Sequence, residues 1–467
     1  MRHICLYFQL HQPIRLRRYR FFDIGNDHYY YDDYANESAI NRLAHTCYLP
    51  ANKILLDAIK KHKGKFSVAF SISGTLLAQF RTYAPEVIDS FKALAATKQV
   101  EFLAETSAHS LAALRNEEEF RRQVAEQVKT IEELFGQTPT VFRNTELIYS
   151  DSLGEVVANM GFKAMLAEGA KQVLGWKSPN YLYCNSIEPK LKVLLKNYSL
   201  SDDIALRFGN SSWSEWPLTA DKFKGWLSAL PENEELINIF VNYETFGANN
   251  KPETGIMEFL KALPDTVLAD KNFVFQTPSK VVSLLQPVSA INVPNATSWV
   301  DEERDTTSWL GNEMQNEAVD KLYALSEQMH SCEDAVLQKD WQYLQASDHF
   351  YYMSTKFFSN GANKAYVSPY VTPYEAFINY MNVLSDFAQR LKHAMPGYMA
   401  DAEVGQLNSA IADKDAKIAK LEAELVKAGV AAKPAKARTP RKKAADDEKA
   451  PKKETKSIAK TKKSKQE

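Results

Sequence analysis

Cysteine is scarce in this chain. Its 467 residues include four, Cys5, Cys47, Cys184 and Cys332, and none is spaced as CxxC. That excludes a disulfide framework and a thioredoxin-like redox motif, and a reduced, cytoplasmic setting is expected. Long apolar runs are missing too: nothing approaches the ~18 residues of a membrane span. The N-terminus is strand-like from Met1 to Leu10, broken by His3 and Gln9. It lacks an apolar signal core of about 7–15 residues with a small-residue cleavage site. No HxxxH pair occurs, and His109 has no His four residues away. A two-histidine metal site is therefore not expected, and neither metal nor cofactor is.

Charge of one sign is also nearly absent, since the formal net charge is -1. The balance hides an asymmetry. From Lys433 to Glu467 there are 14 Lys and Arg against 5 Asp and Glu, leaving 43 against 53 in the residues before it. An acidic body with a basic tail does not suit a nucleic-acid enzyme, so neither a specific nucleic-acid partner nor a membrane partner is expected.

What is present is alternation. Ile4, Leu6, Phe8 and Leu10 share one face of the first run, and His3, Cys5, Tyr7, Gln9 and His11 the other. Further strands are predicted at Phe66–Ser73 and from near Val100, Thr140, Lys163, Lys192, Ile237 and Phe273. Helical patterns fall between most of them, as at Pro50–His62, Ala84–Thr97 and Asn116–Phe135. Repeated strand–helix alternation predicts an α/β fold with a parallel sheet, closed as an incomplete TIM-type (β/α)7 barrel over residues 1–284. Strand signals fade after Pro287–Pro294. Helices are predicted over Asn312–His330, Cys332–Leu344, Ala346–Phe358 and Pro373–Ala394, giving a helical domain over 285–398. Residues 399–432 carry a short heptad pattern at Val404, Leu407, Ile411, Ile418, Leu421 and Leu425. A short coiled coil with weak self-association through 404–428 is expected there. The Lys-rich tail, 433–467, has almost nothing to bury and is expected to be disordered.

Two stretches put carboxylates at the ends of apolar, strand-like runs: Phe142-Arg-Asn-Thr-Glu146 and Asn242-Tyr-Glu244-Thr-Phe-Gly247. Barrel chemistry sits at the C-terminal ends of strands, so His11, Glu105, Glu146, Asn242 and Glu244 are expected on one rim. Two carboxylates brought together in this way are the minimum apparatus for cutting a glycosidic bond.

These stretches resemble glycoside hydrolase family 57, in its α-amylase branch. The resemblance runs from His11-Gln-Pro13 through Glu101-Phe-Leu-Ala-Glu105-Thr-Ser-Ala-His109 and Phe142–Glu146. It continues through Gly175–Tyr181, Leu200-Ser-Asp202-Asp203, Ser212–Pro217 and Asn242–Gly247, and ends with Ser298–Asn312 and Ser347–Tyr352. The family implies a seven-stranded barrel followed by a helical domain, and a retaining mechanism on α-1,4-glucans such as glycogen, starch or maltodextrin. It implies Glu146 as nucleophile, and His11 and His109 as histidines lining the site. Trp213, Trp216, Trp299 and Trp309 become candidates for stacking on glucose rings, with core packing the competing expectation for each.

The chain departs from the family pattern where that pattern has an Asp as general acid/base. Here stands Asn242, followed after Gly247 by Ala248, Asn249 and Asn250. An amide has no proton to transfer near neutral pH, and general acid–base help is worth about 10²–10⁴ in rate. Weak or absent hydrolysis is expected, with a catalytically silent α-glucan-binding or regulatory protein as the alternative. Glu244 shares the strand face of Asn242 and is the candidate substitute. On a continuing strand it would lie about 6–7 Å further along.

Overall fold

The computed structural model describes residues 1–356 and 368–395, and beyond them only Lys414, Lys417 and Lys420. Ten strands occur among the described residues. They are β1 (Arg2–Leu10), β2 (Val68–Ile72), β3 (Val100–Phe102), β4 (Val141–Arg143), β5 (Ala164–Glu168), β6 (Leu182–Asn185), β7 (Lys192–Lys196), β8 (Leu236–Asn242), β9 (Phe273–Phe275) and β10 (Ala290–Ile291).

Seven of these close a ring of parallel strands, in the order β1, β2, β3, β4, β5, β7, β8 and back to β1. Its seams differ. β1 and β8 are paired from His3↔Leu236 to Gln9↔Asn242. β3 meets β4 through a single bridge, Ala104↔Phe142. β7 and β8 share the single pair Lys196↔Asn238. Beyond it Phe240 N–H donates to Ser201 Oγ at 3.2 Å, so a side chain covers the β8 edge there. β6 runs antiparallel to β7, outside the ring, and carries β10. β9 pairs with the start of β1.

The alternation in β1 sorts its residues into two cores. Ile4, Leu6, Phe8 and Leu10 pack outward, in one cluster with apolar residues of the helices Leu49–His62, Gly74–Tyr83 and Pro85–Ala95. Cys5 and Tyr7 face inward, in a cluster that runs from the ring interior to Trp309, Trp341 and Phe387 of the C-terminal helices. That shared core makes Met1–Met399 one compact unit.

Several elements differ from the sequence expectation. Asn312–His330 is two helices, Glu313–Tyr323 and Ser326–His330. Of the helix expected over Ala346–Phe358, Ser347–Tyr351 forms, and Phe358 lies outside the described residues. β6 was not foreseen, and β10 falls where strand signals fade, because its two residues, Ala290 exposed and Ile291 buried, are too few to show a period. The helix Pro373–Ala394 has the expected bounds, with Thr372 Oγ1 accepting from Glu375 N–H as its cap. The tail at 433–467 and the heptad pattern lie outside the described residues. Only Lys414, Lys417 and Lys420 are described there, as exposed helical positions.

Candidate active site

β4 ends at Arg143 and the chain turns at once through Thr145–Leu147. Glu146 (φ 53°, ψ 29°) and Leu147 (φ 52°) are both left-handed. Neither is Gly, so each is strained, and such conformations persist only where the surroundings over-determine them. Here Ser298 Oγ donates to the Glu146 carbonyl at 3.0 Å, and Asn144 Nδ2 to the Ile148 carbonyl at 3.1 Å. The turn thereby aims a buried carboxylate. Its Oε1 meets His109 Nε2 at 3.0 Å, and its Oε2 accepts from Trp299 Nε1 at 2.8 Å.

His109 is shared between two carboxylates. Its Nδ1 lies 3.1 Å from Glu105 Oε2, and Glu105 also accepts from Ser71 Oγ at 3.0 Å and Gln9 Nε2 at 3.3 Å. Burial alone would lower the His109 pKa. The hydrogen bonds to Glu105 and Glu146 outweigh it and push it up to about 9, so both ring nitrogens donate at neutral pH. The His11 ring stacks on His109 at 3.9 Å between centroids. Burial first, and then the charge on His109, lower the His11 pKa. Its Nε2 donates to Asp348 at 2.8 Å and its Nδ1 accepts from Ser73 Oγ at 2.7 Å. Burial would raise the Asp348 carboxyl, but the His11 bond and the neighbouring histidines hold it down to about 2.

The floor beneath Trp299 is ionic. Lys196 Nζ sits 5.1 Å from the Trp299 ring centroid, 3.2 Å from Glu168 and 2.9 Å from Asp202. Arg304 reaches Asp202 at 2.8 Å and also donates to the Trp299 carbonyl. Phe240 of β8 packs edge-on against the same indole at 5.4 Å. These contacts fix the plane of Trp299 and so the donor that meets Glu146.

The second arm begins at Asn242, the last residue of β8. The strand does not continue, and Tyr243–Thr245 form a 3₁₀ turn. The π-helical turn Ala44–Tyr48 clamps it. Cys47 Sγ donates to the Tyr243 carbonyl at 3.2 Å, and Tyr48 OH donates to Glu244 Oε1 at 2.6 Å. From the following helix, Asn52 Oδ1 accepts from Tyr243 OH at 2.7 Å. Gly247 closes the turn with φ +99°, and a Cβ there would lie 2.0 Å from the Thr46 carbonyl oxygen. Only glycine fits this approach. Burial pushes the Glu244 carboxyl up to about 7, partly opposed by its hydrogen bonds from Tyr48 and Gln12.

Both arms open on one cleft of about 320 Å³, lined by Gln9, His11, His109, Glu146, Asn242 and Glu244 among others. None of the tryptophans expected at the sugar surface lines the cleft. Trp309 is wholly buried beside Tyr351 and is core. Trp299 is 4% exposed and meets Glu146 by its edge, so neither offers a face to a ring. Trp213 packs on Trp226, and Trp216 is exposed; neither lines the cleft. Sequence reasoning missed Gln9, Tyr48, Glu168, Lys196 and Asp348 as members of the site. A lysine ending the apolar run Lys192–Lys196 was the visible signal for one of them. No group of three His, Cys, Asp or Glu able to hold a metal occurs among the described residues.

Residues 5–294 match the model of glycosyl hydrolase family 57. The chain belongs to this family. A Methanocaldococcus jannaschii relative named "Putative alpha-amylase" is 38% identical over 405 residues, which is 84% of this chain and 85% of the relative. Among solved structures, the 4-alpha-glucanotransferase of Thermococcus litoralis superposes with a TM-score of 0.61 at 14% identity, covering 82% of this chain and 59% of that one. The family 57 branching enzyme of Pyrococcus horikoshii gives 0.60 at 14% identity, over 87% and 93%. At these identities the two structures carry the fold: the family 57 barrel with its helical segment.

Proposed function

We propose that this family 57 protein acts on α-1,4-glucans with retention, using Glu146 as nucleophile, and that natural glucans turn over slowly because Asn242 occupies the acid/base position. The observation that carries this is the fully furnished Glu146 arm. A strained turn, an imidazolium and an indole N–H all converge on one carboxylate that opens on a cleft. A retaining reaction needs a fixed carboxylate on one face of the sugar and a proton donor on the other. In this reading Glu146 supplies the first, and Asn242, an amide, stands where the family pattern has the second. Kinship with the relative named "Putative alpha-amylase" supports an α-glucan as substrate.

Asn242 also favours a second reading, a protein that binds α-glucan without cutting it. His11, His109, Asn242 and Glu244 would then serve as hydrogen-bonding surface in the cleft. Four free thiols and no helix apolar enough to cross a membrane among the described residues support a cytoplasmic setting. Affinity electrophoresis in glycogen or soluble starch tests both readings at once. Retardation is expected, and mobility equal to an inert control in every glucan would reject both. Assay of wild type beside Asn242→Asp on maltooligosaccharides separates them.

A further inference from the structure

We infer that Glu244 is the proton donor that replaces the lost acid, so that Glu146 and Glu244 form the working carboxylate pair. This rests on the reading of Glu146 as nucleophile and deepens it. The objection from sequence is distance, since two residues of strand would carry Glu244 about 6–7 Å past Asn242. That objection assumes a strand that the chain does not form. β8 stops at Asn242, and in a 3₁₀ turn two residues advance about 4 Å. The turn also rotates the side chain, and Glu244 lines the same cleft as Glu146 and Asn242.

The turn is built to hold Glu244 there. Cys47, Tyr48 and Asn52 fasten it from the neighbouring helix, and Gly247 locks its far end against Thr46. Around the carboxyl, Tyr48 donates to one oxygen, and Gln12 and the backbone at His11 bond to it as well. No cation pairs with it among the described residues. The nearest ionisable groups on its own side are Cys47 and Tyr48, with Arg15 and Arg42 also lining the cleft. Across the cleft stand Glu146, His11, His109 and Asp348. A buried carboxyl without a cation keeps its proton, and Glu244 is pushed up to about 7.

The chemistry balances with these two groups. A Glu146 oxygen bonds to the anomeric carbon while the glycosidic C–O bond breaks. Its electron pair goes to the leaving oxygen, which takes the proton of Glu244. In the second half Glu244 carboxylate removes a proton from water. The water oxygen bonds to the anomeric carbon, and the ester to Glu146 breaks. Both groups return to their starting states and configuration is retained.

The test compares wild type, Glu244→Gln and Tyr48→Phe on maltooligosaccharides and on α-maltosyl fluoride, whose leaving group needs no proton. Wild-type kcat/KM on maltooligosaccharides should fall as pH rises through about 7. Glu244→Gln should lower it by about 10²–10⁴ while leaving first-turnover release of fluoride little changed; water attack on the ester then slows, and added azide restores turnover and is trapped as the α-glycosyl azide. Tyr48→Phe removes a donor to the carboxylate and should move the pH limb upward, a readout available even if Glu244→Gln fails to fold. Equal maltooligosaccharide rates for Glu244→Gln and wild type, or an unmoved limb in Tyr48→Phe, would overturn the assignment. So would a wild type that cleaves the fluoride but no maltooligosaccharide, which leaves Glu146 standing as nucleophile. A wild type inert to both substrates rejects the nucleophile itself.

Discussion

The two arms of the cleft use the same backbone device and opposite electrostatics. Each is a barrel strand that stops, turns tightly, and presents a glutamate from the turn. Around Glu146 the neighbours are charged. An imidazolium touches it, and Lys196, Arg304, Glu168 and Asp202 lie behind Trp299. Around Glu244 they are a phenol, an amide and a thiol. Fixed charge suits a group that must meet a developing oxocarbenium ion, and an uncharged burial suits a group that must keep a proton until it is needed. Contrasting surroundings of two carboxyls are the usual means of assigning such roles. The comparison teaches that an acid lost from a motif need not empty its arm of acid chemistry.

The largest expected effect comes from restoring the second arm. Asn242→Asp should raise maltooligosaccharide turnover by about 10²–10⁴, toward the lower end where Glu244 already supplies the proton. Initial rates of the two proteins measure it directly, and no gain in a wild type that already turns over would mean that Glu244 supplies the whole acid function. Next comes the charged arm's dependence on its floor. Lys196→Ala leaves Glu168 and Asp202 buried without their shared cation and should cost about 3–5 kcal/mol in urea unfolding. Tyr243→Phe on the uncharged arm removes one hydrogen bond and should cost about 1 kcal/mol. Similar costs on the two sides would erase the contrast.

The same contrast has a pH signature. His109 is raised from 6.5 to about 9 in the folded chain. Its contribution to stability is therefore full below about 6.5 and is lost as pH rises through 9. Glu105→Gln should flatten that decline and lower the His109 titration seen by NMR, with the loss of a carboxylate partner as cause. A titration unchanged in Glu105→Gln would show that Glu146 alone holds the imidazolium. The smallest effect is expected at Trp216, which is exposed and outside the cleft. Trp216→Ala should change stability by less than about 0.5 kcal/mol and leave fluoride cleavage unaltered.

Much of this was legible in the sequence. Period-two alternation in β1 fixes which residues face the ring interior, because its wholly apolar face packs on the helices and its mixed face is left to the interior. The same pattern placed Glu146 and Asn242 at strand ends. It failed one residue later. Tyr243 continues the alternation of Ile237, Ile239 and Val241 and is buried with them, yet the backbone has already turned. Apolar pattern encodes burial and not chain direction, so the turn was invisible. The left-handed Glu146 was invisible for a related reason. Nothing local favours it, and contacts from Ser298, 152 residues away, hold its carbonyl. Trp299 and Trp309 look alike in sequence, and only tertiary packing decides that one serves Glu146 and the other the core.

The β7–β8 seam has a consequence for how the barrel breathes. One backbone register pair and the Asn238 amide, donating to the Leu195 carbonyl at 3.0 Å, are what join those strands. Few bonds must break for this wall to part, and parting admits water to Lys196 and Asp202, whose hydration repays some of the lost contact. Amide exchange should accordingly start along the β8 edge that Ser201 covers and end in β1, which is paired on both sides. The ring would then loosen first beneath the Glu146 arm, leaving the strand that carries His11 as the last part of the barrel to yield.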